Sequence, residues 1–440
     1  MNLAAIFKAY DVRGLYPAGI NGAVAERIGR AFAEFCGGGP VAVGRDMRSH
    51  SVELQEGLFR GLTAGGCEVL DLGLVSTPMC YHAVGAWQCS GGVMITASHN
   101  PGEWNGFKFC RANAVPVSRD TGLQEICRMA SAGLPDAPQK GNVIARDIAP
   151  VYREFVRQFV RIDRKLRVVM DFANGMGSRE IAGVRDFFEV IPLYETLDGT
   201  FPNHEANPLK TENMADLCAK VRETGADFGA AFDGDGDRCG FVDETGEIIP
   251  MDLFTALIAK DILQEGPATV LYDLRSSRAV PECIAEEGGT SFMTPVGHSF
   301  IKQKMREHQA VFAGELSGHY YFRENFYAES QAMAVVKFAN LLCRSSLSAS
   351  QLVQPLKRYA STGEVNFEVN DLPGTLQKIR QHYADGELLE LDGISIAYAD
   401  WHCNVRPSNT EPLLRLIVEA DNAEILAEKQ AELRALICQK

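Results

Sequence analysis

Asp233-Gly234-Asp235-Gly236-Asp237-Arg238 sets three carboxylates at alternate positions, spaced by glycines and backed by a cation. Glycine's conformational freedom lets such a backbone bend until the side chains converge on one ion. A donor set made only of oxygens suits a hard cation, magnesium or calcium, better than zinc or copper. An EF-hand calcium loop is the first rival, since Asp233, Asp235, Asp237 and Glu244 match four of its ligand spacings. Its sixth position requires glycine for a sharp turn, however, and here holds Arg238; its flanks should also be helical. The small apolar run 227–232, and the runs 239–243 and 247–250 about a Glu244-Thr245-Gly246 turn, read as strand, metal loop and hairpin.

A second loop, Thr96-Ala97-Ser98-His99-Asn100-Pro101, follows the apolar run Gly92–Ile95 and crowds a hydroxyl, an imidazole and an amide together. It suits an exposed nucleophile, although a capped turn has the same composition. No acid follows in the order of an acyl-transfer triad, and the glycine elbow of the hydrolases is missing. With a metal loop in the same chain, a phosphoryl group becomes the natural partner of Ser98. Phosphoryl transfer is catalysed mainly by positioning and by neutralising oxygens with a divalent ion and cations. A phosphate dianion beside three aspartates would feel about 20 kcal/mol of repulsion at an effective dielectric near 20. Only a bound cation makes that proximity tolerable, so the two readings support each other.

The elements that must hold these loops repeat one plan. Stretches beginning at Val41–Val43, Val168–Met170 and Thr269–Tyr272 each combine a short apolar strand, a polar turn and a helix-like segment, the pattern of parallel α/β units. In each unit a later apolar strand runs into an unusual loop: 92–95 into the serine loop, 228–232 into the aspartate loop, and 310–313 into Gly314–His319. Ligands of open α/β sheets gather beyond the carboxyl ends of strands, so the three loops are expected to face one cleft. A Pro/Gly-rich stretch, Gly133–Gly141, and the hairpin near Gly246 read as boundaries. The strands expected at Ile394–Tyr398 and Leu413–Glu419 and an amphipathic helix over Asn422–Cys438 form a smaller last unit. The expected fold class is α/β: three similar mixed-sheet α/β domains plus a smaller α+β C-terminal domain around a central cleft. The expected divisions are 1–142, 143–246, 247–358 and 359–440.

Composition narrows the partners. A chain of 440 residues with 46% apolar and 23% charged side chains fits a multidomain globular enzyme. A net charge of -14 argues against nucleic acid or an anionic membrane as the main partner, while a local cationic cluster can still take an anionic substrate. Twelve cysteines lie scattered with no Cys-x-x-Cys pair, which points to a reducing compartment and hence the cytoplasm. Lys8, Asp11 and Arg13 interrupt the short apolar start, and no 18-residue apolar run exists, so neither signal peptide nor membrane span is expected.

Together these stretches resemble the α-D-phosphohexomutases, most closely the phosphomannomutase/phosphoglucomutase group, over essentially the whole length. The family's phosphoserine, metal and sugar loops are matched by Thr96–Pro101, Asp233–Arg238 and Gly314–His319, and its phosphate loop by Arg406-Pro407-Ser408-Asn409-Thr410-Glu411-Pro412. The resemblance implies a phosphate on Ser98, with Mg2+ bridging it to Asp233, Asp235 and Asp237 and Arg238 behind them. It implies a phosphosugar substrate, a hexose 1,6-bisphosphate intermediate that also serves as activator, and a monomer or homodimer. Glu315 and Ser317 would read the 3- and 4-hydroxyls that mannose and glucose share, with His319 at their border. Arg406, Ser408, Asn409 and Thr410 would hold the far phosphate.

The opening segment Phe7–Gly14 would bring Tyr10 and Arg13 to the cleft. Arg13 would act electrostatically, Lys108 as a base given a lowered pKa, and His99 chiefly to orient the serine loop. Arg275 and His298 fall where the family contacts sugar or phosphate. Arg275 stands where the family often carries lysine, and Lys210 after Asn207-Pro208 is a second departure. A phosphoglucosamine mutase is the nearest competing activity, but Asn409 replaces the glycine typical of that group, and Tyr320-Tyr321-Phe322 resembles the mannose and glucose enzymes. A non-catalytic sugar-phosphate binding protein would carry the same loops without turnover, and a metal-dependent phosphatase would pass the phosphoryl group of Ser98 to water.

Overall fold

The apolar run Gly91–Ile95 forms a fully buried strand, parallel to Val41–Arg45 on one side and antiparallel to Trp104–Arg111 on the other. Phe228–Phe232 lies likewise between parallel Leu166–Asp171 and antiparallel Cys239–Asp243. Phe312–Gly314 lies between parallel Thr269–Asp273 and antiparallel Tyr320–Phe322. Three sheets thus reverse direction at the same place in their topology, and the turn at each reversal is one of the three unusual loops. All three sit beyond the carboxyl end of a parallel strand, where α/β sheets present their ligand sites.

The computed structural model describes residues 3–408 and 413–438. Its first sheet has seven strands, the second and third five each, and the fourth six. Val12–Leu15 closes the edge of the first sheet against Trp104–Arg111, with Arg13 opposite Gly106. The strand Val143–Ala145, which the expected division assigned to the second unit, instead pairs with Val69–Leu74 in the first sheet. Beyond the Pro/Gly-rich stretch the chain returns to add one more edge strand before it leaves.

The fourth sheet is antiparallel at every pairing and carries the helices Leu372–His382 and Ala423–Cys438. Its long central strands, Trp401–Pro407 and Leu414–Ala420, are buried along most of their length and enclose a separate apolar core. The expected small α+β last unit is observed.

The second and third sheets are joined by aromatic packing. Phe241 stacks on Phe254 with ring centroids 3.8 Å apart, and Phe338 meets Phe228, Phe241 and Phe254 edge-on. The edge-on pairs add about 0.5–1.5 kcal/mol each beyond the area they bury. Two helices aim their amino ends at the metal loop across this junction: Thr77–Ala86, capped by Ser76, and Gln331–Arg344, capped by Ser330. Among the described residues no helix is long and apolar enough to cross a membrane.

Candidate active site

Ser98 and the aspartate loop meet. Ser98 Oγ donates to Asp233 Oδ2 at 2.8 Å, and both residues are buried. Oδ1 of the same carboxylate accepts the backbone amides of Gly236, Asp237 and Arg238 at 3.0, 3.1 and 3.2 Å, which curls the loop around it. Gly236 turns at φ +74°, a conformation that glycine adopts freely. Gly234 is required by proximity: a β-carbon there would stand 2.3 Å from the Ser98 carbonyl oxygen. The glycine spacing therefore serves loop-to-loop contact as well as curvature.

The strand and hairpin expected on either side of the aspartates are present. Glu244, the residue that would complete a calcium loop, points elsewhere and accepts from Ser348 and Ser350. Carboxylate oxygens of Asp233, Asp235 and Asp237 lie within 4.8 Å of one another. Oδ1 of Asp235 is buried and has no hydrogen-bond partner among the described residues. Three converging buried carboxylates with an unmet acceptor fit a hard divalent cation.

Lys108, on the strand Trp104–Arg111, donates to Asp235 Oδ2 at 2.6 Å and to Asp237 Oδ2. Burial pulls its pKa down, but the facing carboxylates of Asp235, Asp237 and Asp233 outweigh burial and hold it above the ordinary lysine value. In this arrangement Lys108 is a cation of the loop. Burial and the charges of Asp235 and Asp237 push the carboxyl of Asp233 well above the usual carboxylate range.

His99 Nδ1 lies 3.2 Å from Ser98 Oγ. Burial, then the cations Arg238 and Arg13, hold this imidazole neutral. Arg13 donates to Asp11 Oδ2 at 2.8 Å, to the Ala97 carbonyl at 3.4 Å and to Asn100 Oδ1, so it braces the serine loop. Burial works against its charge, but Asp11, with Asp235 and Asp237, outweighs it and raises its pKa.

The sugar loop continues from the metal loop. His319 Nε2 is 3.4 Å from Asp237 Oδ1 and 3.4 Å from Arg238 Nε, and its Nδ1 is 2.7 Å from Ser317 Oγ and 3.1 Å from Glu315 Oε2. Burial opposes its charge, yet Asp237 and Glu315 prevail and push its pKa up to about 9. Arg275 reaches Glu315 at 3.3 Å while clasping Asp273 at 2.7 Å. His298 packs against Tyr10, ring centroids 5.6 Å apart, and faces His319 at 6.4 Å. Its Nε2 is buried with no hydrogen-bond partner among the described residues. Burial and Lys302 hold it neutral.

Arg406, nearly fully buried on the strand Trp401–Pro407, donates to Glu364 Oε2 at 2.7 Å, and Glu364 lies 3.7 Å from Arg275. Ser408 follows that strand, its amide bonded to the Leu413 carbonyl at 2.8 Å. Asn409 and Thr410 lie outside the described residues. A continuous file of polar contacts therefore runs from Ser98 through the aspartates, His319, Glu315, Arg275 and Glu364 to Arg406, touching all four sheets' units.

Four contributors escaped the sequence reading. Arg48, fully buried, donates to the carbonyls of Ser98, Asn100, Pro101 and Trp104 at 2.9, 2.6, 2.7 and 2.9 Å, while Asp46 balances its charge at 3.1 Å. It holds the serine loop from behind, with Ser98 at φ +52°, rarely adopted outside glycine. Thr77 Oγ1 donates to Asp235 Oδ2 at 2.6 Å, and Gln331 Nε2 to the Asp237 carbonyl at 2.6 Å. Glu180 ties the helices behind those two residues: it accepts from Ser76 Oγ at 2.6 Å, Tyr152 OH at 2.6 Å and the Ala332 amide at 3.0 Å. The only signal in the chain was the charged Arg45-Asp46-Met47-Arg48 run after a buried strand.

Known proteins resemble this chain in sequence and fold. The four models of phosphoglucomutase/phosphomannomutase match in order: alpha/beta/alpha domain I over residues 4–134, domain II over 150–246, domain III over 250–359 and the C-terminal domain over 364–436. The chain belongs to the phosphoglucomutase/phosphomannomutase family, within the α-D-phosphohexomutase superfamily. It is 40% identical to a protein of Xanthomonas campestris pv. campestris described as "Phosphohexose mutases", across 97% of each chain. A phosphomannomutase of Methanocaldococcus jannaschii is 38% identical over 98% of this chain and 97% of its own. Among solved structures, a phosphoglucomutase/phosphomannomutase family protein of Burkholderia thailandensis superposes with a TM-score of 0.90 at 33% identity, covering 98% of this chain and 96% of the other.

Proposed function

We propose that this phosphohexomutase interconverts hexose 1-phosphate and hexose 6-phosphate, with mannose, glucose or both as the sugar, through phosphorylated Ser98 and a hexose 1,6-bisphosphate. The observation that carries the reading is the contact of Ser98 Oγ with Asp233 inside a cage of three buried carboxylates. Such a cage repels a phosphoryl group unless a cation is shared between them.

In the first transfer the bond from Ser98 Oγ to phosphorus breaks and a bond from the free sugar hydroxyl to phosphorus forms, giving the bisphosphate. The second transfer returns the other phosphoryl group to Ser98 and releases the isomer. The proton that the sugar hydroxyl loses ends on Ser98 Oγ as that oxygen leaves and travels back on the second transfer; His99 Nδ1, neutral and 3.2 Å from Ser98 Oγ, is placed to relay it, accepting it first and passing it on as the imidazolium. Asp233, Asp235 and Asp237 would hold Mg2+, which when bound neutralises oxygens of the phosphoryl group. Lys108 and Arg238 add fixed positive charge beside them. Glu315 and Ser317 read sugar hydroxyls, and the unpartnered Nε2 of His298 is a further group for one of them. Arg406 and Ser408, with Asn409 and Thr410, take the far phosphate in either orientation.

The metal assignment rests on this donor set, and the bisphosphate on the need to serve both ends of one sugar. Tyr320-Tyr321-Phe322 favours mannose and glucose over glucosamine. The cytoplasmic setting rests on twelve cysteines, all free; the assembly proposed is a monomer or homodimer. Incubation with Mg2+, mannose 1-phosphate and a trace of hexose 1,6-bisphosphate should yield mannose 6-phosphate at constant organic phosphate. Release of inorganic phosphate in step with substrate loss would make the protein a phosphatase instead.

A further inference from the structure

Arg406 and Arg415 stand directly opposite each other on the antiparallel strands Trp401–Pro407 and Leu414–Ala420. Like charges in that register repel, so the pair needs an anion between or beside it. Glu364 supplies one. Its Oε2 accepts from Arg406 Nη2 at 2.7 Å and its Oε1 from Arg415 Nη1 at 3.0 Å, while Arg275 of the third sheet's unit approaches Oε2 at 3.7 Å. Glu364 follows Gly363, which turns at φ +61°, and is still about a fifth exposed where Arg406 is nearly sealed. One carboxylate thus gathers three guanidinium groups from two units on the face where a phosphate monoester would have to bind.

We propose that Glu364 is an internal counter-anion, a positioning residue that competes with the phosphate of the substrate for Arg406 and so sets the affinity of the distal pocket. This rests on Arg406 being the holder of that phosphate. The charges argue for competition over cooperation. Arg275 is also shared with Asp273 and Glu315, while Glu364 lies between Arg406 and Arg415 and contacts both. A phosphate dianion placed on Arg406 beside an ionised Glu364 adds two like-charge repulsions, which ease only if the carboxylate gives way. The three arginines outweigh burial and hold Glu364 below its ordinary pKa, so it is ionised at neutral pH. An enzyme that must release one phosphorylated end to accept the other gains from a resident anion that takes the vacated place.

The test is calorimetric titration of the full-length protein with inorganic phosphate, alongside steady-state kinetics with mannose 1-phosphate. Glu364→Gln should bind phosphate about tenfold more tightly, the lower end for a charged hydrogen bond. Its KM should fall by a similar factor with no rise in kcat, because the gain applies equally to bound substrate and transition state. Glu364→Asp keeps the charge but is one methylene too short to span the cluster, so it should tighten binding about threefold; it decides the matter alone if the Gln variant does not fold. Unchanged or weaker phosphate binding in both variants overturns the inference. Arg406→Ala separates the two levels. If it weakens phosphate binding while the Glu364 variants do not strengthen it, only the counter-anion role fails. If Arg406→Ala binds phosphate normally, the pocket is elsewhere and both readings fail.

Discussion

Ser98 Oγ and Asp233 Oδ2, 135 positions apart in sequence, share a hydrogen bond of 2.8 Å. The two loops therefore form one site, in which the hydroxyl faces the carboxylates that would share its phosphoryl group's counterion. Ser98→Ala removes the hydroxyl proposed to carry that group. Turnover of mannose 1-phosphate should fall to the uncatalysed background. The dissociation constant for mannose 6-phosphate should stay within about threefold, because the cations of the distal pocket are untouched. Measurable mutase activity in this variant would exclude Ser98 as the acceptor.

Arg48 binds four carbonyls of the serine loop with one planar fork, and lysine has no such fork. Arg48→Lys keeps the charge next to Asp46 but cannot hold both sides of the loop. A nucleophile displaced by about 1 Å loses roughly a hundredfold in rate, so kcat should drop by that order with KM nearly unchanged. Arg48→Ala leaves Asp46 buried without its counter-charge and should destabilise the fold by about 3–5 kcal/mol, read from chemical denaturation. A Lys variant with normal kcat would show that the loop holds itself.

The loops were legible because their chemistry needs improbable residue types side by side: aspartates alternating with glycines, or an arginine followed by short polar donors. The equivalent placement of three loops was legible because apolar strands precede each of them. Arg48, Thr77, Glu180 and Glu364 were not, since each acts through contacts that exist only once distant segments meet. Arg48 in sequence reads as a charged turn; only the fold reveals a fully buried guanidinium. Lys108 was recognised, but its protonation depends on the carboxylates of Asp235 and Asp237 reaching it from another sheet. The boundary near Gly133–Gly141 is a true break in composition, yet the chain crosses it and returns to pair Val143–Ala145 with the first sheet.

Glu180 makes stability depend on pH in a direction opposite to that of most paired carboxylates. Burial raises its pKa above 4.5, against the hydrogen bonds from Ser76, Tyr152 and the Ala332 amide. Between the unfolded and folded pKa values the native state binds more protons than the unfolded chain, so stability decreases as pH rises through that window. Glu180→Gln mimics the protonated form at every pH. Its melting temperature relative to wild type should therefore be near parity at about pH 4.5, where an unfolded glutamate titrates, and climb as pH rises towards neutrality. A difference that stays flat over this range would mean that Glu180 titrates as an ordinary surface acid.

Removal of the metal tests the carboxylate cage from two sides. Chelation should abolish turnover in the wild type and lower its melting temperature, and Mg2+ at a hundred times its dissociation constant should restore about 2.7 kcal/mol of stability. Lys108 supplies the cage with its own cation, on Asp235 and Asp237. Lys108→Met strips that charge and leaves buried carboxylates uncompensated, a loss of about 3–5 kcal/mol in metal-free protein. In that variant Mg2+ takes over the neutralisation that Lys108 gave Asp235 and Asp237, so its stabilisation should exceed the wild-type value. Melting curves of both proteins with and without Mg2+ decide the point: equal shifts would mean that ion and ammonium do not share the same carboxylates, and no shift in either would remove the cation site altogether.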